Sequence, residues 1–98
     1  MELFVRSESA VSRVIAGETL IVPISKGVGD LASIYSLNPV ATTIWESVAK
    51  PSSAQQIVER ITQEFETVPA EAQREVQAFL AEMQSAGLIR TLEMSAGT

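Results

Sequence analysis

The spacing of apolar residues changes once along the chain, near Leu37, and this change separates a strand-forming part from a helical part. Between Ser12 and Leu37 β-branched and apolar residues come in short runs broken by turn formers. The run Arg13-Val14-Ile15-Ala16 meets Gly17-Glu18, and Thr19-Leu20-Ile21-Val22-Pro23-Ile24 follows, a pattern that predicts a hairpin. The break Ser25-Lys26-Gly27-Val28-Gly29-Asp30 holds two glycines able to take positive φ, so it predicts a second reversal. Leu31-Ala32-Ser33-Ile34-Tyr35-Ser36-Leu37 then forms a third strand. The expected sheet is an antiparallel meander of three strands with the middle one central.

Beyond Leu37 the period becomes helical. Asn38-Pro39 is a helix start: Asn caps free amides, and Pro at the first helical position brings the right φ without an unused donor. Val40, Ala41, Ile44, Trp45 and Val48 fall on one face of the helix that follows, and Pro51 ends it. A second helix begins at Ser52 or Ser53, with Gln55 or Gln56 at capping-box spacing, and buries Ile57, Val58, Ile61 and Phe65. A third starts near Pro69, turns Ala72, Val76, Phe79, Leu80 and Met83 inward, and stops at Gly87, where Leu88 can close onto Met83. Residues 88–92 either add a terminal strand or pack down. Residues 1–11 show no clear period, and both chain ends are expected to be loosely held.

Strands followed by helices make an α+β fold, here a three-stranded antiparallel sheet followed by three helices in a winged-helix-like arrangement. The 98 residues suit a single domain with its core between about residues 12 and 92. Apolar residues make up 46% of the chain, enough for a core without disulfides or a structural metal.

Composition then removes whole classes of chemistry. There is no cysteine and no histidine, so thiolate and imidazole catalysis and the usual nitrogen and sulfur metal ligands are excluded. No cofactor is expected. Glu71 and Glu75 stand one helical turn apart, but without a companion base or a phosphate loop they read as a solvated face. The first 20 residues carry Glu2, Glu8 and Glu18 and no apolar run longer than Leu3-Phe4-Val5, which predicts neither a signal peptide nor a membrane span, and hence a cytoplasmic protein. A net charge of −5, with the seven basic residues scattered singly, argues against a nucleic-acid backbone as ligand.

The stretch Ser36-Leu37-Asn38-Pro39-Val40-Ala41-Thr42-Thr43-Ile44-Trp45 resembles the PqqD family, with its Leu-Asn helix start, small residue and aliphatic-Trp pair. The Ile57 to Phe65 spacing looks like the family's second helix, and Phe79-Leu80 through Gly87-Leu88-Ile89 is similar to its third helix and stop. With the three-strand sheet that leads into the Leu-Asn helix start, the resemblance covers roughly residues 12–89. The resemblance implies a non-catalytic peptide chaperone, a recognition element for ribosomally made and post-translationally modified peptides. Such a domain takes the leader of a precursor peptide as an added strand beside the third strand, over a groove formed with the third helix. It delivers that peptide to a modifying enzyme, often a radical SAM enzyme whose iron–sulfur clusters belong to that partner. On this chain that strand offers Leu31, Ser33, Ile34, Tyr35, Ser36 and Leu37 as peptide-binding residues, and the third helix offers Gln73, Gln77, Leu80 and Gln84 on and around its apolar stripe.

Each of these has a plainer reading. Trp45 lies on an apolar helical face and reads as core. Tyr35 either packs amphipathically or meets a peptide, and the glutamines are also ordinary helix-surface residues. Alternation places Leu31, Ser33, Tyr35 and Leu37 on one face and Ala32, Ile34 and Ser36 on the other, without deciding which meets the helices. The strand carries no Lys, Arg, Asp, Glu or Pro, the devices that block edge pairing, so its edge invites another chain. Three occupants compete for that edge: a leader peptide, residues 88–92 folded back, and a second copy in a homodimer. The alternative function is a winged-helix nucleic-acid-binding regulator, whose recognition helix should carry several cations; here Arg60 and Arg74 stand alone among glutamates.

Overall fold

The computed structural model describes residues 2–8, 10–23 and 34–93. Along the chain run β1 (Glu2–Arg6), β2 (Ala10–Ile15), β3 (Glu18–Pro23), β4 (Tyr35–Leu37), α1 (Pro39–Ser47), α2 (Ala54–Glu64), α3 (Pro69–Ser85) and β5 (Ile89–Glu93). The α+β class and the antiparallel meander are as expected: the sheet order is β2-β3-β4, with β3 central. The hairpin turns at Ala16-Gly17, one residue earlier than the sequence suggests, and its first strand begins at Ala10. Both turn residues have positive φ, 54° and 80°, the signature of the type I′ turn that matches strand twist. Ala16 is an uncommon occupant of such a position, and Gly17 a natural one.

The N-terminal segment differs from expectation. Glu2–Arg6 is a strand, paired antiparallel with β5 from Glu2↔Glu93 to Arg6↔Ile89. Its other side is tied to the turn after α1, where Phe4 and Ser52 exchange both backbone hydrogen bonds and the Arg6 amide donates to the Val48 carbonyl at 2.9 Å. Phe4 joins the core. Three consecutive apolar residues between two charges show neither period, which is why local pattern missed this strand. The core therefore starts well before residue 12. The tail 95–98 lies outside the described residues.

Helix boundaries follow their chemistry. Asn38 Oδ1 accepts from the Ala41 amide at 2.7 Å. Ser53 and Gln56 form a reciprocal capping box, each side chain bonded to the other's backbone amide. α3 ends as its sequence indicates: Gly87 has φ +78°, its amide donates to the Gln84 carbonyl, and the Leu88 amide donates to the Met83 carbonyl. Met83 and Leu88 are both buried, closing the stop with an apolar contact.

Trp45 is 1% exposed at the centre of the helical core, beside Ile44 and Val48. The Arg6 guanidinium sits over its ring, 4.6 Å from the centroid, and Arg6 Nε donates to the Trp45 carbonyl at 3.0 Å. Burial holds the Arg6 pKa below its ordinary value, partly offset by the charge of Glu46. The indole Nε1 has no hydrogen-bond partner among the described residues. No described helix is long and apolar enough to cross a membrane.

Candidate functional site

β4 is the open side of the three-stranded sheet, since among the described residues no strand pairs with its outer edge. β5, one of the three candidate occupants of that edge, pairs with β1 instead. The hairpin geometry tells which β4 groups point outward. A two-residue loop makes Ile15 and Glu18 the pair that exchanges both hydrogen bonds, so in β3 Glu18, Leu20 and Val22 face β2 and Thr19 and Ile21 face β4. In the next ladder Thr19 meets Leu37, Leu20 meets Ser36 and Ile21 meets Tyr35. Leu37 and Tyr35 thus spend their backbone groups on β3, whereas the Ser36 N–H and C=O point away from the sheet.

Beside this edge runs an open groove of about 310 Å³ between β4 and α3, with α1 beneath it. Tyr35, Ser36 and Leu37 form one wall. Leu37 is buried and Tyr35 is half-buried against the core, so the Tyr35/Leu37 face is the one that meets the helices. Ala41 and Ile44 from α1 lie at the bottom, and Ala78, Phe79 and Met83 from α3 make the far wall. Glu75 and Glu82 stand on its rim, exposed.

Of the residues carried over from the family resemblance, the structure brings Tyr35, Ser36 and Leu37 to this groove. Ile34 is exposed next to β4 but outside the strand, and Leu31 and Ser33 lie outside the described residues. The four α3 positions fall elsewhere. Gln77, Leu80 and Gln84 border a cavity shared with Glu2 and Phe4 of β1, and Gln73 and Gln77 border another against Ala54 and Val58 of α2. The reason is helical geometry. Positions 75, 78, 79, 82 and 83 run along one flank of the buried stripe, and 73, 77, 80 and 84 along the opposite flank. The stripe alone does not say which flank faces β4, and small residues border both, Ala78 beside Phe79 and Ala81 beside Leu80.

Elsewhere the charges are spoken for or scattered. Arg60 bonds Glu64 at 2.9 Å and Glu46 at 3.2 Å, and the hydrogen bond to Glu64 is the main reason its pKa is raised. Neither α2 nor α3 presents a row of cations. Among the described residues no group of three or more carboxylates is placed to hold a metal ion.

Residues 25–89, more than half of the chain, match the family profile of coenzyme PQQ synthesis protein D (PqqD). The chain belongs to the PqqD family. Two solved structures share the fold of this PqqD-family chain, each with a TM-score of 0.73. One is "TbiB1 in Complex with the TbiA(beta) Leader Peptide", at 21% identity over 88% of this chain and 94% of that one. The other is "Lasso peptide synthetase B1 complexed with the leader peptide", at 16% identity over 89% of this chain and 96% of that one. No curated protein matches the chain.

Proposed function

We propose that this PqqD-family chain is a non-catalytic peptide chaperone that binds the leader of a ribosomally made precursor peptide and presents it to a modifying enzyme, a radical SAM enzyme in this reading. The leader adds to β4 as a fourth strand. The Ser36 N–H and C=O bond to it, and alternate peptide side chains enter the groove between β4 and α3, giving sequence-tolerant affinity from the backbone and selectivity from the pocket. The observation that carries the proposal is the open edge of β4 lying directly against an apolar groove. Membership of the PqqD family supports it, as does the shared fold with two proteins whose structures are described as complexes with leader peptides. Site residues from the strand are Tyr35, Ser36 and Leu37, with Leu31, Ser33 and Ile34 preceding them; from α3 the groove-lining Phe79 and Met83 take the place of Gln73, Gln77, Leu80 and Gln84.

Ser36→Pro tests the mechanism. Proline there removes an outward donor and leaves the β3–β4 ladder whole. The probe is a fluorescein-labelled synthetic leader peptide chosen for its binding to the parent protein, followed by anisotropy. Expected is a loss of affinity of about tenfold or more, since one main-chain bond and the strand geometry around it are lost. A folded variant that binds this leader as tightly as the parent protein rules out strand addition at β4.

A further inference from the structure

The rim of the groove between β4 and α3 carries a charge pattern of its own. Glu75 and Glu82 stand on the α3 rim, and among the described residues no Lys or Arg lines the groove. Neither glutamate has an ion-pair partner among the described residues; the described salt bridges are both made by Arg60, on another part of the surface. Between the two carboxylates the wall is apolar, with Ala78 and Phe79 midway. Seven residues of helix separate the glutamates by about 10 Å along the axis at 1.5 Å per residue.

We infer that the groove selects extended peptide segments in which an apolar residue is bracketed by basic residues two positions away on either side. The inference rests on the strand-addition reading and deepens it. In an added strand, side chains at i, i+2 and i+4 share a face and span about 13 Å at 3.3 Å per residue. The central apolar side chain meets Ala78 and Phe79, and the long arms of Lys or Arg converge slightly to reach Glu75 and Glu82. The pattern reads the same in both directions, so it holds whether the peptide runs parallel or antiparallel to β4. A peptide with acidic residues at the bracketing positions would place like charges against the rim and be rejected, which supplies specificity that main-chain bonding lacks. The carboxylates are solvent-exposed, so each contributes modestly, about threefold in affinity, and the effect is screened by salt.

The test is selection from a phage-displayed library of random 12-residue peptides against the folded parent protein, the charge-reversed E75K/E82K variant and Ser36→Pro, with folding verified by circular dichroism. Peptides enriched on the parent protein are expected to carry Lys or Arg on both sides of an apolar residue, and those enriched on E75K/E82K to carry Asp or Glu there. A selected basic peptide should bind E75Q/E82Q about tenfold more weakly, and this gap should narrow between 50 and 500 mM NaCl. Peptides lost on Ser36→Pro but showing no basic bracket, or the same sequences on parent and charge-reversed proteins, overturn the charge inference and leave strand addition standing. Failure to select any peptide, or peptides indifferent to Ser36→Pro, overturns strand addition and the inference with it.

Discussion

The helical side of the molecule and the three-stranded sheet are built to different standards. On the helical side β1 is hydrogen-bonded to the turn after α1, two helix starts are capped by side chains, α3 ends in a closed stop, and the two-stranded sheet β1–β5 locks the chain onto the core. Ile44, Trp45, Val48, Ile57, Ile61, Val76 and Leu88 are all fully buried there. Among the residues whose burial is described, the β2–β3–β4 sheet contributes Thr19, Ile21 and Leu37 to the buried set and leaves Val14 71% and Ile15 55% exposed. Among the described residues the outer edge of β4 is unpaired and the groove beside it is open, features that suit the proposed binding role, since groups already satisfied within the fold cannot accept a ligand. Stability resides in one region so that the other can remain incomplete.

The largest break in this contrast should come at the centre of the helical side. Trp45→Ala removes a fully buried aromatic and is expected to cost about 3–5 kcal/mol in urea unfolding, a large share of the stability of so small a protein. The parent protein should show the blue-shifted emission of a buried indole. Phe4→Ala tests whether β1 belongs to the core, and a loss of about 3 kcal/mol is expected; a change below 0.5 kcal/mol would return residues 2–6 to a loose end. Gly87→Ala meets no steric obstacle but holds φ +78°, so it should cost about 1 kcal/mol through backbone strain alone. At the matching position in the hairpin, Ala16→Gly relieves the same strain and should stabilise by a few tenths to about 1 kcal/mol in thermal melts. Val14→Thr, on the exposed sheet, and Glu64→Gln, breaking an exposed ion pair, should each stay within about 0.5 kcal/mol. Substitutions in the sheet as damaging as Trp45→Ala would erase the distinction between the two regions.

Much of this molecule is written in local pattern. The α+β order, the central middle strand, Asn38 and Ser53 as caps, the Gly87 stop and the buried faces of the helices all follow from interactions within a few residues, where spacing and side-chain chemistry leave little choice. What required the assembled chain were pairings across long separations. β1 and β5 meet between residues more than eighty positions apart, and nothing in Leu3-Phe4-Val5 names its partner. The groove depends on the angle at which α3 lies against β4. A buried stripe has two flanks, and packing turned Glu75, Phe79 and Glu82 toward the open edge and Gln73, Gln77 and Gln84 away from it. Local sequence thus states what each element is and which side it buries, because those are set by backbone period and burial. The neighbour each remaining side meets is set by how the elements fit together, which is a property of the whole core.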